Sequence, residues 1–456
     1  MKSHLVVLVA LAAGPGLRAE PLPADDGYRG IWYSNQPTKD EYKFKYSGGM
    51  ATYPQQHIPI AIYSKKADKT FFVYGGTPKG RNELLHMVSY YDHATGKVPR
   101  PRILLDKKTD DAHDNPTLQI DARGHLWVFS NSHGLSRPSF ISRSVEPYSI
   151  DAFERVATTS FSYSQPWVLP DGGFLVLHTR YTPDHDLFWM TSADGRTWDE
   201  PKPLARLGKG HYQVSGRCAG RVGTAFDYHP QKGGLNARTN LYYLETPDGG
   251  RTWRTADGRA AEVPLVDIAN PALVRDYESE KLLVYLKDLR FDAEGRPVIL
   301  YLTSRGFEPG PGSDPRTWQT ARWTGERWEI RPLTTSDSNY DHGSLSIEED
   351  GRWRVIAPTD PGPQPFGVGG EMVLWASGDR GATWLKERVV TRDSRFNHTY
   401  ARRPIDAHPD VHAIWADGDT RAPSVSHLYY SNRDGTVVRR LPAVMGGETA
   451  DPEPVP

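Results

Sequence analysis

Residues 377–384 read Ser-Gly-Asp-Arg-Gly-Ala-Thr-Trp, and residues 246–253 read Thr-Pro-Asp-Gly-Gly-Arg-Thr-Trp. Both octapeptides fit the Asp-box pattern Ser/Thr-x-Asp-x-Gly-x-Thr-Trp. In such a turn the Asp side chain accepts hydrogen bonds from the turn's own amides, the Gly supplies a positive φ, and the Trp packs between neighbouring sheets. Shorter or degenerate copies occupy residues 192–198, 313–318 and 431–435. We interpret these residues as structural and their recurrence as the mark of a repeat architecture.

The segments between these turns lack helical periodicity. Short runs of Val, Ile, Leu, Phe, Tyr and Trp alternate with polar residues and stop at Gly, Pro, Asp or Asn, as in residues 124–130, 173–179 and 281–287. Such runs predict β-strands that are joined by turns.

A second repeat predicts how many groups of strands there are. His113-Asp-Asn-Pro116 and Tyr163-Ser-Gln-Pro166 each precede a Gly-containing turn and a long apolar strand. Comparable places occur at residues 57, 211, 268, 342 and 398. Together with 113 and 163 they make seven positions, with successive spacings of 56, 50, 48, 57, 74 and 56 residues. Seven such units average about 62 residues each, which suits a four-stranded blade with its loops. The predicted fold class is all-β, a single seven-bladed β-propeller with degenerate Asp-box turns, although length alone would suggest about three domains.

The two ends of the chain are assigned separately from the propeller. Residues 1–19 contain Lys2, an apolar run from Leu5 to Ala13 and small residues up to Ala19, a pattern typical of a secretory signal peptide cleaved near Ala19. We therefore predict a secreted or periplasmic protein. Residues 20–444 form the single propeller domain. Residues 445–456 contain Gly, Pro and acidic residues without an apolar pattern, which predicts a disordered tail.

The composition excludes several classes of partner. Lys and Arg total 55 and Asp and Glu total 56, so a net charge of -1 offers no attraction to nucleic acid or to an anionic membrane. We expect neither as a partner, and we expect a monomer. The single cysteine, Cys218, cannot form an intramolecular disulfide, and the set His211, Cys218 and His229 lacks the tight spacing of metal ligands. We predict no cofactor and no metal at the functional site, and a structural ion stays open.

In a propeller the first residues of successive inner strands crowd one face, so polar residues about 50 positions apart converge there. This predicts four candidate catalytic residues, which are His113, His133, Tyr163 and Arg180. His211 and Tyr212 are expected nearby. An Arg can neutralise a uronic acid carboxylate and make the adjacent C5 proton removable. A His or a Tyr can then take that proton while the other protonates the leaving glycosidic oxygen.

Two further observations bear on this chemistry. The group has no nearby pair of carboxylates, which ordinary glycoside hydrolysis requires, and this favours β-elimination. The alternative is purely structural, with His113 as a hydrogen-bonded turn residue and Tyr163 as a packing aromatic.

Several long segments resemble a known family. They are residues 26–37 (DGYRGIWYSNQP), 40–57 (DEYKFKYSGGMATYPQQH) and 113–134 (HDNPTLQIDARGHLWVFSNSHG). These segments resemble the propeller group called BNR-4 repeat proteins, and within it the ulvan lyases of polysaccharide lyase family 25, with family 24 more distant. The resemblance covers almost the whole chain after residue 19. It implies a seven-bladed propeller that cleaves a sulfated rhamnose–uronic acid polysaccharide by β-elimination and leaves 4,5-unsaturated uronate ends.

The resemblance also implies roles for individual residues. The two-histidine motif of the family falls on His113 and His133, and the best matches for its Tyr and Arg are Tyr163 and Arg180. Which of His113 and Tyr163 is base and which is acid stays open. The region of Tyr212 and Arg217 is the competing match for the Tyr and Arg. The expected substrate-binding residues are Asn115, His211, Tyr212, Arg217, Arg238 and His57.

Two other functions fit the sequence. Glycoside hydrolase family 145, whose members are exo-α-L-rhamnosidases on rhamnose-α-1,4-glucuronate ends, resembles the same scaffold and uses one His, which would be His57. A non-catalytic sugar-binding propeller would keep the aromatic residues without requiring the His, Tyr and Arg. Sialidase is disfavoured because residues 56–59 read Gln-His-Ile-Pro where a sialidase has Phe-Arg-Ile-Pro. The presence of His133 together with Tyr163 and Arg180 favours the lyase.

Overall fold

The computed structural model describes residues 20–54 and 56–455. The predicted signal peptide, residues 1–19, lies outside the described residues. Regular structure is almost entirely strand, and the helical segments in the described ranges are three short 3₁₀ turns at Ala112–Asp114, Gly234–Ala237 and Pro311–Ser313. Within those ranges no helix is long and apolar enough to cross a membrane.

Seven antiparallel sheets of at least four strands follow one another along the chain, and each inner strand packs against the next from blade 1 to blade 6. We number these sheets as blades 1 to 7. Blade 1 consists of Ala61–Ser64, Lys69–Gly76, Leu85–Asp92 and Arg102–Asp106, and blade 2 consists of Pro116–Ile120, Leu126–Ser130, Ser139–Ser144 and Phe153–Thr159. Blade 3 consists of Ser162–Val168, Phe174–Tyr181, His185–Ser192 and Lys202–Ala205. Blade 4 consists of Gln213–Cys218, Arg221–Tyr228, Thr239–Thr246, Trp253–Arg254, Ala260–Ala261 and Leu273–Arg275.

Blades 5 to 7 complete the ring, and a hairpin precedes blade 1. Blade 5 consists of Leu283–Phe291, Pro297–Ser304, Arg316–Trp323 and Trp328–Ser336. Blade 6 consists of Ser344–Ile347, Trp353–Asp360, Glu371–Ser377 and Leu385–Val389. Blade 7 consists of Asn397–Arg402, Ala413–Gly418, Leu428–Ser431, Val438–Arg440 and Glu453–Pro454. The hairpin pairs Trp32–Pro37 with Phe44–Gly49, and a separate two-stranded sheet pairs Val98–Pro99 with Thr449–Ala450. The predicted seven-bladed β-propeller is confirmed.

One of the seven predicted repeat positions is wrong. Position 268 was expected to mark blade 5, but it lies in blade 4, and the inner strand of blade 5 begins at Leu283. The long connection after Thr246, which contains two two-residue strands and Leu273–Arg275, separates the two blades. An insertion of this kind displaces a sequence repeat without changing the number of blades.

The Asp-box turns are structural, as predicted. In residues 246–253 the Asp248 carboxylate accepts a hydrogen bond from the Thr252 amide at 2.8 Å, and Gly250 has a φ of +88°. Trp253 packs against Trp189 of blade 3, with ring centroids 5.3 Å apart. The turn therefore joins neighbouring blades, and it lies away from the face where the inner strands begin.

Alternate side chains of a strand pack against different blades. In the second strand of blade 3, Leu175 and Leu177 belong to a core cluster with Phe226 of blade 4. Phe174 and Val176 belong to another cluster, which contains residues of blade 2. This alternation decides which residues at the end of that strand reach the functional site.

Residues 445–455 are ordered, which corrects the prediction of disorder for that part of the tail, and Pro456 lies outside the described residues. Met445 is buried, Thr449–Ala450 pairs with Val98–Pro99 of the blade 1 region, and Glu453–Pro454 pairs with the last strand of blade 7. The contacts are backbone hydrogen bonds and an Arg440–Glu453 ion pair. Edge pairing of this kind needs no apolar periodicity, so composition could not reveal it.

Candidate active site

A cleft of about 470 Å³ lies at the face where the inner strands begin. The hairpin Trp32–Gly49 contributes one side of it through Tyr46. Ten of the residues that line the cleft are aromatic or ionisable: Tyr46, Tyr53, His113, Tyr163, Tyr212, Asp227, Arg238, Tyr285, Tyr340 and His342. The cleft therefore combines tyrosine rings, which suit a sugar, with few charged groups in a largely buried setting.

Asp111 bridges the two predicted histidines. Its Oδ1 lies 2.5 Å from His113 Nδ1, and its Oδ2 lies 2.7 Å from His133 Nδ1. The imidazole rings are stacked, with centroids 4.2 Å apart. Since each Nδ1–H donates to a carboxylate oxygen, both rings keep a lone pair on Nε2 and a fixed orientation.

Burial and charge act in opposite directions in this group. Burial alone would raise the pKa of Asp111, but His113 and His133 lower it far below its usual value. Burial lowers the pKa of His113, and Asp111 only partly opposes that shift. The group therefore holds an ionised carboxylate beside a neutral imidazole at neutral pH, which is the protonation state of a general base with its orienting partner.

Tyrosine hydroxyls surround the other nitrogen of His113. Its Nε2 lies 2.7 Å from the Tyr53 hydroxyl and 2.9 Å from the Tyr46 hydroxyl. Burial raises the pKa of both tyrosines well above the usual value, so both hydroxyls are protonated and either can donate to the single lone pair of Nε2. His113 is only 3% exposed, yet it is one of the residues that line the cleft.

A second carboxylate, Asp114, fixes the segment that carries these histidines. It is fully buried and lies 3.3 Å from Lys107 Nζ and 2.9 Å from Arg137 Nε. Its Oδ1 accepts a hydrogen bond from the His133 amide at 2.6 Å. Because Asp114 follows His113 directly, this network ties both histidine segments to the same buried ion pairs.

Tyr163 lies across the cleft from the histidines in a strained backbone conformation. Its φ is +53° at a bulge in the inner strand of blade 3, a region that costs a non-glycine residue free energy. Its ring centroid is 6.1 Å from that of His113 and 6.3 Å from that of His133. Burial, and then Tyr181 and Tyr212, raise the pKa of Tyr163 well above its usual value, so its hydroxyl is protonated.

Arg238 supplies a buried cation to the same cleft. It follows the 3₁₀ turn Gly234–Ala237 and is 4% exposed. Its guanidinium carbon lies 4.7 Å from the Tyr212 ring and 4.6 Å from the Tyr285 ring, and its Nη2 lies 3.3 Å from the Tyr340 hydroxyl. No carboxylate lies within salt-bridge distance of Arg238 in the described residues. A carboxylate of a substrate can therefore pair with it.

Asp227 lies near Arg238 and faces the cleft. Its Oδ1 accepts a hydrogen bond from the Tyr212 amide at 2.7 Å, and its buried Oδ2 has no partner. Burial raises the pKa of Asp227 to about 7, although Arg238 opposes the shift. His229 Nε2 is 3.5 Å from Oδ1. Sequence reasoning missed this carboxyl group.

The structure places Arg180 differently from the prediction. Because successive side chains of a β-strand point to opposite faces, Arg180 and Tyr181 lie on opposite faces of their strand. Arg180 packs over the Phe188 ring at 5.7 Å, and its Nε is buried without a partner. Tyr181 instead has its hydroxyl 3.3 Å from that of Tyr163 and its ring 5.8 Å from that of His133. A step of one residue along the strand thus separates the predicted residue from the one that contacts Tyr163.

Two predicted substrate-binding residues make internal hydrogen bonds. Asn115 is buried, and its Nδ2 donates to backbone carbonyls of the Met50–Tyr53 segment, whereas its Oδ1 has no partner. His211 donates from Nδ1 to the Asp227 carbonyl at 2.7 Å and accepts at Nε2 from the Leu207 amide at 2.9 Å. Both residues position the cleft. Both ring nitrogens of His211 are thus engaged in hydrogen bonds.

Arg217, the competing match, lies outside the cleft. Its Nη1 donates to the Val168 carbonyl at 2.6 Å, and it lines another pocket with Cys218 and Asp406. It is near the far end of Gln213–Cys218, about 16 Å along the strand from Tyr212. His57 is fully buried, stacks under Tyr163 at 5.3 Å, and neither of its nitrogens has a partner. Tyr212 is in the cleft, as predicted.

Sequence reasoning missed the partners of the histidines. Asp111 could have been found, because it is two residues before His113 and accepts a hydrogen bond from the His113 amide. Tyr46 and Tyr53 lie in the segment 40–57, which carried the resemblance, but no spacing rule connects them with residue 113. The ligand atoms of Asp111, His113 and His133 lie within 4.8 Å of one another, so this group has the residue types for a metal ion as well as for proton transfer.

The family follows from a model described as a BNR repeat-containing family member, which matches residues 86–336. The match covers more than half of the chain, so the chain belongs to this family of BNR repeat-containing proteins.

Particular relatives share one described activity. The chain is 23% identical to an ulvan lyase of Nonlabens ulvanivorans, over 73% of this chain and 76% of that protein. It is 20% identical to the family 25 ulvan lyase of Pseudoalteromonas sp. strain PLSV, over 78% and 80%. A solved family 25 ulvan lyase structure superposes with a TM-score of 0.71 at 18% identity, covering 89% of this chain and 95% of that one. Another such structure, with the same TM-score, is bound to -[GlcA(1-4)Rha3S]-. The predicted resemblance is thereby confirmed.

Proposed function

We propose that the protein is a polysaccharide lyase that cleaves ulvan, a sulfated rhamnose–uronic acid polymer, by β-elimination. The observation that carries the proposal is the Asp111-bridged pair of histidines facing Tyr163 across a cleft that also contains the unpaired cation Arg238. The likeness to ulvan lyases from two organisms supports the same substrate class. A structural role alone would not require a carboxylate that orients two stacked imidazoles toward a cleft.

The first step in this proposal is neutralisation of the uronate carboxylate. Arg238 is unpaired in the described residues and sits among Tyr212, Tyr285 and Tyr340, so the incoming carboxylate can form a charge-assisted pair in a water-poor setting. Withdrawing charge from the carboxylate lowers the pKa of the C5 proton and stabilises the enolate-like intermediate.

Proton transfer is assigned from protonation states. Neutral His113, held by Asp111, accepts the C5 proton at Nε2 once the substrate takes the place of the Tyr46 and Tyr53 hydroxyls at that nitrogen. Asp111 stabilises the imidazolium that forms. Tyr163, whose raised pKa keeps its hydroxyl protonated, donates to the glycosidic oxygen at C4 as that bond breaks. The centroid separation of 6.1 Å lets one sugar residue contact both groups. The products are a 4,5-unsaturated uronate end and a new sugar hydroxyl.

The structure disfavours His57 as the only catalytic residue of a rhamnosidase. His57 is 0% exposed and packs against Tyr163, so a substrate cannot contact it in this conformation.

The test is incubation with ulvan while the ultraviolet absorbance of 4,5-unsaturated uronate is followed. We expect the absorbance to rise with wild-type protein and not with His113→Ala. The matched control is His427→Ala, which removes a histidine outside the cleft and should keep the activity. Release of free rhamnose without any rise in absorbance would overturn the lyase proposal in favour of a hydrolase.

We also propose export, on the basis of the signal-peptide pattern in residues 1–19. We propose a monomeric state because one chain supplies the whole lining of the cleft. N-terminal sequencing of the protein from the periplasm or medium should begin at Glu20, and light scattering should give the mass of one chain. An intact Met1 in the cytoplasmic fraction, or the mass of a dimer, would contradict these two points respectively.

A further inference from the structure

A histidine–carboxylate cluster lies at the face opposite the cleft. His93 follows the third strand of blade 1, and His408 and Asp410 lie in the connection between the first two strands of blade 7. One ligand atom from each residue lies within 4.8 Å of the others. We propose that His93, His408 and Asp410 bind a divalent transition-metal ion of the zinc type, which joins the last blade of the ring to the first.

His93 is oriented for ligation by its hydrogen bond. Its Nε2 lies 2.8 Å from the Thr70 hydroxyl, which can accept an Nε2–H. Its Nδ1 is buried and has no partner. A hydrogen bond to the distal nitrogen that leaves the other nitrogen free is the usual arrangement of a metal-binding histidine.

His408 and Asp410 supply the other two ligands. The His408 and His93 ring centroids are 3.9 Å apart, and His408 Nδ1 is 3.6 Å from Asp410 Oδ2. Zinc holds nitrogen and oxygen ligands at about 2.0–2.2 Å in a tetrahedron, so such ligands lie about 3.3–3.6 Å apart. His408 Nδ1 also accepts a hydrogen bond from the Asp410 amide at 3.2 Å, which leaves Nε2 as the ligand atom of His408. One ligand atom from each of the three residues lies within 4.8 Å of the others, so a rotation of the side chains brings them to the separations of a zinc site.

The environment leaves one coordination position open to water. Tyr63 and Tyr91 pack edge-on against His93 at 5.2 and 4.9 Å and shield it from one side. The Asp410 side chain is 65% exposed. Two imidazoles, one carboxylate and one water suit Zn²⁺ and the neighbouring first-row ions better than Mg²⁺ or Ca²⁺, which prefer oxygen ligands.

The location gives the ion a structural role. Blades 7 and 1 already exchange hydrogen bonds from the Tyr63 amide to the Ile405 carbonyl at 3.0 Å and from the Ile405 amide to the Ala61 carbonyl at 2.9 Å. An ion held by His93 on one side and by His408 and Asp410 on the other adds a link at the same junction. Because the unfolded chain does not assemble these ligands, the ion should raise the unfolding temperature by mass action.

The test compares the wild type with Asp410→Asn and with the double variant His93→Gln/Asp410→Asn, after removal of metal with a chelator. Titration with ZnCl₂ in a calorimeter should show one equivalent of bound zinc fewer for the double variant than for the wild type. Thermal unfolding should show a zinc-dependent rise of a few degrees, roughly, in the wild type and little in either variant. Asp350→Asn, at an exposed carboxylate elsewhere, is the matched control. Ulvan cleavage should be the same in all four proteins.

The design separates this site from the Asp111, His113 and His133 group, because both variants keep that group intact. Equal zinc stoichiometry and an equal thermal shift in the wild type and the double variant would overturn the proposal. Asp410→Asn alters an exposed side chain and will fold, so the absence of any difference between it and Asp350→Asn would also count against the site. Loading with Co²⁺ gives a spectroscopic check, since a bound four- or five-coordinate cobalt absorbs visible light strongly and the variants should lack that band.

Discussion

Tyr163 of blade 3 and Tyr400 of blade 7 occupy matching positions on opposite sides of the ring. Both have left-handed backbone, with φ of +53° and +50°, and both lie at a bulge of an inner strand. Each ring packs on a buried histidine, Tyr163 on His57 at 5.3 Å and Tyr400 on His342 at 4.8 Å. The propeller has thus built the same tyrosine–histidine unit twice.

The two units differ in what faces the tyrosine. Tyr163 faces His113 and His133, which share Asp111, and its hydroxyl is 3.3 Å from that of Tyr181. Tyr400 faces the edge of the Tyr53 ring at 5.0 Å, and its hydroxyl is buried without a partner.

The repeat therefore supplies position and strain, and the chemistry comes from Asp111 and the two histidines that it orients, which face Tyr163 and not Tyr400. Activity should accordingly depend on Asp111 and on Tyr163, and not on Tyr400.

The largest effect is expected from Asp111→Asn. An amide cannot accept both Nδ1–H bonds as a charged carboxylate does, so both histidines lose their tautomer and orientation, and the His113 imidazolium loses its counter-charge. By analogy with the carboxylate of a catalytic triad, kcat should fall by about 10³-fold or more. Initial rates on ulvan, followed by absorbance, measure this. Asp110→Asn, the exposed neighbouring carboxylate, should stay near wild type, and an Asp111→Asn variant within tenfold of wild type would remove Asp111 from the mechanism.

The direct test of the comparison is the pair Tyr163→Phe and Tyr400→Phe. Loss of the Tyr163 hydroxyl removes the proton donor and should lower kcat by about 10²-fold or more. Loss of the Tyr400 hydroxyl removes a buried unpartnered group, so activity should persist and the unfolding temperature should stay the same or rise. Equal losses of activity in the two variants would show that both tyrosines contact substrate and that the two units are not functionally distinct.

A smaller effect is expected from exchanging arginine for lysine on the two candidate cations. Arg238→Lys keeps a positive charge but loses the bidentate geometry, so kcat/KM should fall by about 10- to 100-fold. Arg180→Lys changes a side chain that packs over Phe188, and its kcat/KM should stay within about threefold. Steady-state rates over a range of ulvan concentrations decide between them. A larger loss for Arg180→Lys would restore Arg180 as the group that neutralises the carboxylate.

The contrast between Arg180 and Tyr181 also shows where sequence reasoning stopped. Repeat spacing predicted seven blades and brought His113, His133 and Tyr163 together, because a propeller converts regular spacing into convergence. It could not decide which of two adjacent residues faces the cleft, because one step along a strand reverses the direction of the side chain.

Contacts that do not repeat were beyond the same reasoning. Tyr46 and Tyr53 reach His113 from the hairpin segment that precedes blade 1, and nothing in their spacing connects them with it. The insertion after Thr246 hid the true start of blade 5, and the edge pairing of Glu453–Pro454 left no mark in the composition. Each of these depends on how separate segments meet in space rather than on a local pattern.

The smallest expected effect is on stability, and it concerns one buried carboxyl group near each tyrosine–histidine unit. Asp227 is beside Tyr212, on the side of Tyr163, and Asp341 is beside His342, on the side of Tyr400. Burial raises the pKa of Asp227 to about 7 from 3.8. Between about pH 4 and pH 7 the folded protein keeps a proton that the unfolded chain has released, so the free energy of unfolding falls as pH rises through this window. In Asp227→Asn the free energy of unfolding should not fall in this way, because asparagine does not titrate. The asparagine still offers an oxygen to the Tyr212 amide. The unfolding temperature of this variant relative to wild type should therefore rise by a few degrees, roughly, from pH 4 to pH 8.

Asp341→Asn should differ from Asp227→Asn in overall stability, although burial raises the pKa of both carboxyl groups. Its two oxygens accept hydrogen bonds from the Gly369 amide at 2.7 Å and the Ser338 amide at 3.0 Å. An asparagine can accept only one of these and sets an N–H against the other, which costs about 1–3 kcal/mol. Asp341→Asn should thus be less stable than wild type across the pH range, while the exposed control Asp199→Asn should show no change. Thermal unfolding of the three variants at pH 4, 6 and 8 measures this. Parallel pH curves for Asp227→Asn and wild type would mean that Asp227 is ionised in the folded protein, and its unpaired Oδ2 would then carry a charge next to Arg238 instead of a proton.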